Sequence, residues 1–159
     1  MTAYFVLKSF ADLSLDELYS LLRLRQQVFV VEQHCPFVDC DNMDQASWHL
    51  QYRTDNGHLH AYCRLLPVDI AYEGYASIGR VISSIEYRKR GLGIQLMQQA
   101  LSHCKELFGD TPLQIGAQLY LKEFYERFGF VAVGDVYIED DIEHILMQLH
   151  QSSTSSKPS

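Results

Sequence analysis

Ser77-Ile78-Gly79-Arg80-Val81-Ile82-Ser83, followed closely by Arg88-Lys89-Arg90-Gly91-Leu92-Gly93-Ile94, is the stretch on which the rest of the chain turns. The first run is apolar and β-branched enough to be a strand, and the second is a short basic turn. From Ile94 a helical pattern runs on through Met97, Ala100, Leu101, Cys104 and Phe108, all on one side. Glycines between a strand and a helix let backbone N–H groups point into one small concavity. The helix N-terminus adds its partial positive charge there, so the turn suits a phosphate or pyrophosphate. Arg88, Lys89 and Arg90 add full charges around the same point, in a chain whose net charge is −7.

Two nucleotide motifs are excluded at this turn. A P-loop requires Lys-Ser or Lys-Thr after its second glycine, and neither Gly91 nor Gly93 is followed by one. A dinucleotide fingerprint requires a third glycine where Leu96 stands. What remains is Arg-x-x-Gly-x-Gly from Arg88 to Gly93, a pattern that a plain turn leading into a helix would also satisfy.

The composition narrows the classes further. A chain of 159 residues, 47% hydrophobic and 21% charged, is long enough for one domain with a real core. The acidic balance argues against nucleic acid, which calls for a basic face. No apolar run approaches membrane-spanning length, and the first residues lack a signal-peptide layout, so the expected location is cytoplasmic, with no membrane partner. Cys35, Cys40, Cys63 and Cys104 are expected to be reduced thiols. His34, Cys35, Cys40 and His49 match no paired-ligand spacing, so no metal site is expected.

Read in order, 4–8 is a first strand, and Ser14-Leu15-Asp16-Glu17 is a capping box opening a helix that should end at 29–31. Residues 32–46 lose periodicity and carry Glu32, Asp39, Asp41 and Asp44, which makes them a loop or broken helix with a potential binding role. Strands at 48–53 and 58–66 flank Asp55-Asn56-Gly57, a hairpin signal. After the organising strand, turn and helix come a short strand at 113–117, a short helix at 121–128 stopped by Gly129, and a final antiparallel pair at 131–138 and 144–149. The expected domain is 4–150, with a disordered polar tail at 151–159. The element order calls for an α/β (α+β) fold: a mixed, mostly antiparallel sheet of about seven strands with helices on both faces.

Three further segments give the chain a family likeness. Together with Arg88 to Gly93, Phe124-Tyr125-Glu126-Arg127-Phe128-Gly129-Phe130 resembles the elements of GNAT N-acyltransferases that hold acyl-CoA and its thioester. Leu24-Arg25-Gln26-Gln27-Val28-Phe29-Val30-Val31-Glu32-Gln33, with Cys35, Pro36, Asp41 and His49, is similar to the ElaA-like branch, and more distantly to acyl-homoserine lactone synthases. Glu139-Asp140-Asp141-Ile142-Glu143-His144-Ile145 also looks ElaA-like.

The resemblance implies a GNAT fold and an enzyme that moves an acyl group, acetyl by expectation, from acyl-CoA to a primary amine of a small molecule or peptide. It implies that the pantetheine arm lies along Val81, Ile82 and Ser83, with Gln118 on the facing strand. It puts the pyrophosphate on Arg88, Lys89, Arg90, Gly91, Leu92, Gly93 and Ile94, and makes Tyr125 the acid that protonates the leaving thiolate. The organising strand lacks the glutamate that many family members use as base. Glu32 and His49 are the acceptor-side candidates, and the base is unassigned. The acidic loop would attract a cationic acceptor. A non-catalytic acyl-CoA-binding module, an acyl-homoserine-lactone-synthase-like enzyme and a homodimer stay open.

Overall fold

The computed structural model describes residues 2–88 and 90–150; Lys89 and the expected tail at 151–159 lie outside the described residues. Strand β1 (Ala3–Ser9) leads to helix α1 (Leu15–Arg25). The Ser14 hydroxyl accepts from the Glu17 amide while the Glu17 carboxylate accepts from the Ser14 amide, which starts the helix as the sequence predicts. The α-helix ends earlier than expected, at Arg25, and the chain continues as a π-helical segment, Gln26–Glu32. Wider winding of this kind turns side chains away from the α phase and is frequent at functional sites.

Strands β2 (Trp48–Thr54) and β3 (Leu59–Leu66) form the expected hairpin, with Gly57 at φ 83° in its turn. Strand β4 (Ser77–Ser83) follows, then helix α2 (Leu92–Phe108), strand β5 (Leu113–Gln118), helix α3 (Lys122–Glu126), and strands β6 (Val131–Glu139) and β7 (Ile142–Leu149). α3 is shorter than the predicted 121–128 because a 3₁₀ turn, Leu119–Leu121, takes its start. Gly129 at φ 97° stops it, as expected of a glycine in the left-handed region.

The seven strands divide into two sheets, β1-β2-β3-β4 and β5-β7-β6, antiparallel within each. A single parallel bridge, Ala76 to Leu113, joins them, held by Ala76 N–H to Pro112 O (3.0 Å) and Gln114 N–H to Ala76 O (3.0 Å). Among the described residues β4 and β5 share no ladder beyond it, so the two strands part in a V. Helices cover both faces of the first sheet. Ala61, Cys63 and Leu65 of β3 pack with Leu96, Met97, Ala100 and Cys104 of α2 on one face. Tyr62 on the other face packs with Leu21 and Leu24 of α1.

The β3/β4 register slips between Tyr62 and Arg64, leaving Arg80 and Val81 without partners on β3. Arg80 stands at φ 52°, so β4 bulges here. The extra residue inverts the alternation: Ile78 packs into the α2 core and Ile82, four positions on, into the α1 core.

Candidate active site

The V between β4 and β5 opens into a cleft of about 530 Å³. Val81, Ile82 and Ser83 form one wall and Gln118 belongs to the other. At the cofactor end α2 begins at Gly91, whose φ of 74° is left-handed and whose place before the helix carries no side-chain cap. The first hydrogen bond of α2 runs from Gln95 N–H to Gly91 O, so the amides of Leu92, Gly93 and Ile94 have no carbonyl within the helix to bind. An added Cβ at Gly91 would meet nothing within 4 Å, and one at Gly93 only ordinary contact with Phe124. Backbone conformation, rather than crowding, is what asks for glycine at Gly91.

The other expected cofactor residues separate at this turn. Arg88 lines the cleft, donating to Ser83 O (3.0 Å) and to Glu32 Oε1 (2.7 Å). Glu32, expected on the acceptor side, is therefore the ion-pair partner of Arg88. Arg90 lays its guanidinium over the Tyr87 ring at 4.8 Å and spends its amide on Tyr87 O (3.1 Å). The amides of Leu92, Gly93 and Ile94 thus remain for the cradle, and the Arg90 amide, expected among them, does not join them. Leu92 puts its own side chain in the core.

Tyr125 lines the same cleft and is 7% exposed, edge-on to Phe124 and Phe130. Burial, reinforced by the neighbouring Cys63, pushes its hydroxyl well above the ordinary tyrosine range. The group therefore keeps its proton at any working pH and is available as a donor.

His49 is a correction. It does not line the cleft but is fully buried on β2, where Nε2–H donates to Asp44 O (2.9 Å) and Nδ1 accepts from the Tyr62 hydroxyl (2.6 Å). Burial lowers its pKa, with the Arg25 and Arg64 charges adding to that, so it is a neutral core residue.

The acidic loop is a second correction. Asp39, Asp41 and Asp44 form a closed ring of alternating charge with Arg25, Arg80 and Arg64. Arg25 bridges Asp39 (2.6 Å) and Asp44 (2.7 Å), Arg64 bridges Asp44 (2.9 Å) and Asp41 (2.5 Å), and Arg80 bridges Asp41 (3.3 Å) and Asp39 (2.7 Å). Burial alone would raise the Asp44 carboxyl, but the hydrogen bonds and charges of Arg25 and Arg64 outweigh it and hold it low. The same balance, through Arg64 and Arg80, holds Asp41 far below the carboxylate range. These carboxylates are neutralised, so they do not draw a cationic acceptor. They fasten the 33–46 loop to α1 and the sheet.

Several cleft residues were not foreseen. Arg80 faces the cleft from the bulge, its guanidinium 5.9 Å from the Phe29 ring centre on the π-helical segment. Gln118 Nε2 reaches Gln33 Oε1 at 3.4 Å, and the Cys35 thiol donates to Asp140 O at 3.4 Å, tying the loop to β5 and to the β6–β7 turn. Gly116 and His144 also border the cleft. One sequence signal for the bulge exists: Val81 and Ile82 are adjacent apolar residues where strict alternation would separate them.

A sheet split beside a glycine-started helix, with a bulged strand and a buried tyrosine at the split, defines an acyl-CoA N-acyltransferase type of architecture. The chain belongs to the GNAT acetyltransferase family, in its ElaA-like branch: residues 53–151 match the Acetyltransferase (GNAT) domain model. ElaA of Escherichia coli K12 is 44% identical over 140 residues, 86% of this chain and 90% of that protein. A UPF0039 protein of Synechocystis is 42% identical over 138 residues, 87% and 89% of the two chains. Among solved structures, an acyl-CoA N-acyltransferase from Pseudomonas aeruginosa superposes with a TM-score of 0.87 at 48% identity, covering 92% of this chain and 99% of that one. A CoA-dependent acyl-homoserine lactone synthase superposes with a TM-score of 0.78 at 18% identity, over 94% of this chain and 84% of that one, a likeness of fold alone.

Proposed function

We propose that the protein is an acyl-CoA-dependent N-acyltransferase that moves an acetyl group to a primary amine of a small molecule or peptide. The observation that carries this reading is the cleft itself. It brings an unpaired stretch of β4, an uncapped helix start and a proton-holding tyrosine to one opening.

Each step needs little from the chain beyond placement. The pantetheine arm pairs with backbone groups of Val81 to Ser83 in the position a further strand would occupy. The pyrophosphate sits on the amides of Leu92, Gly93 and Ile94, with Arg88 beside it. The neutral amine attacks the thioester carbonyl and loses one N–H proton to a base, and the Val81 amide, at the bulge where β4 shifts register against β3, donates to the oxyanion. The C–S bond breaks and Tyr125 protonates the departing sulfur. The products are the amide and CoA thiol.

A screen of alkylamines, polyamines, aromatic amines and short peptides, followed by thiol release from acetyl-CoA and longer acyl-CoAs, tests the reading. Amine-dependent release with acetyl-CoA preferred is the expected result. Acyl-CoA binding with no amine-stimulated release would overturn it in favour of a binding module.

A further inference from the structure

We infer that His144 is the general base that takes the proton from the attacking amine; the inference rests on the acyltransferase reading above. The sheet itself separates the two faces of the reaction. Ile115 and Ala117 of β5, with Ile145 and Met147 of β7, pack into the core that contains Tyr125. Gly116 and Gln118 alternate to the opposite face, and the register sets Gln118 and Tyr137 directly beside His144, one on each side. An added Cβ on Gly116 would lie 2.7 Å from the Tyr137 hydroxyl, which places Tyr137 over that same face. Tyr125 and His144 therefore reach the cleft from opposite faces of one sheet. That is the arrangement a transfer requires when thiolate leaves on one side and amine arrives on the other.

The ring is fixed for the task. His144 is 8% exposed, borders the cleft and stacks on Tyr137 with centroids 5.7 Å apart and planes 27° apart. Its Nδ1 lies 2.7 Å from Ile142 O, and a carbonyl only accepts, so Nδ1 carries the proton. The neutral ring then holds its lone pair on Nε2. This is the standard use of a second-position hydrogen bond to set a histidine tautomer.

The groups around it come from four elements. β5 brings the uncharged Gln118, and β6 brings Tyr137 and Glu139. The β6–β7 turn brings Asp140, and the 67–76 connection brings Tyr72, whose hydroxyl shares the space over Gly116 with that of Tyr137. On β7 itself Glu143 alternates to the other side and is exposed. Glu139 and Asp140 border the cleft beside the ring, so an ammonium acceptor arriving there meets carboxylates outside the neutralised charge ring.

In the step proposed, nitrogen forms its bond to the carbonyl carbon and one N–H proton passes to Nε2. The C–S electron pair leaves with sulfur, which takes its proton from Tyr125, and solvent exchange resets both residues. An acceptor that arrives as an ammonium releases one further proton to solvent.

The test is turnover of an alkylamine by wild type and His144→Gln, with acetyl-CoA affinity measured by calorimetry. His144→Gln should lose ~10²–10³-fold in kcat, with cofactor affinity unchanged. Imidazole added to His144→Ala should restore part of the rate. A His144→Gln enzyme that keeps the rate overturns this role while leaving the acyltransferase reading intact. Wild type that binds acetyl-CoA and transfers to no amine overturns both. If the variants fail to bind acetyl-CoA, ¹⁵N spectra of wild-type His144 decide: a neutral ring protonated on Nδ1 supports the role, and one protonated on Nε2 overturns it.

Discussion

Tyr125 is held by its ring and useful through its hydroxyl, so Tyr125→Phe separates the two. The packing against Phe124 and Phe130 survives and only the proton donor is lost. A thiolate is already a tolerable leaving group, so a drop of ~10²-fold in kcat and kcat/KM together is expected, with acetyl-CoA affinity nearly constant. Steady-state kinetics beside calorimetry measures this, and wild-type turnover in Tyr125→Phe would leave the residue as packing. Gly116 offers a different residue-scale test, because a methyl there would sit 2.7 Å from the Tyr137 hydroxyl and 3.2 Å from that of Tyr72. Those rings must shift, so Gly116→Ala should lose about 1–3 kcal/mol in urea unfolding and disturb the stack on His144. An unchanged midpoint would show that both rings move freely.

The charge ring shows what an element can hold that its own sequence does not announce. Asp44→Asn leaves Arg25 and Arg64, both buried, each short of a partner, so a loss of about 3–5 kcal/mol is expected in denaturant unfolding. Asp141→Asn, on an exposed turn at φ 65° where asparagine is at ease, should change stability by less than about 0.5 kcal/mol. Equal small effects would mean that the ring contributes nothing to holding the loop. The strands and helices were legible because their signals are local: the Ser14 capping box, Asn56-Gly57, Gly129 and the stripe from Met97 to Phe108 each state a rule in adjacent residues. The glycine turn and Phe124 to Phe130 were legible for the same reason. The pairing of Arg25, Arg64 and Arg80 with three aspartates was not, because those partners lie 14 to 41 residues apart in sequence. His49 was misplaced from the same cause, since its alternation on β2 gives no sign of which face is core. His144 went unread because its role depends on the strand order β5-β7-β6, which only the folded sheet supplies.

At the scale of the whole molecule, pH acts on folding through two buried sets of groups in the same direction. The His49 ring is neutral and lowered when folded but protonates freely when unfolded, so the unfolded chain binds more protons as pH falls below about 6.5. Asp41 and Asp44 are lowered when folded, so their contribution is complete above about pH 4 and is lost as acid protonates them. Stability should thus fall in two stages on acidification, the first reduced in His49→Gln, where His60, also lowered by burial, keeps the remainder; thermal unfolding between pH 3 and 8 measures it, and a rise on acidification would contradict the sign. The central claim is that the split sheet and the helix start at Gly91 receive acyl-CoA. Gly91→Asp tests binding apart from folding, because a side chain there meets nothing within 4 Å and aspartate is among the residues least strained in the left-handed region, yet it puts a negative charge where the pyrophosphate must sit. The direct measurement is calorimetric titration of acetyl-CoA into wild type and into Gly91→Asp shown to be folded by its melting temperature. The account predicts one acetyl-CoA bound per wild-type chain and none detected by the variant, and equal affinity in the two proteins would contradict it.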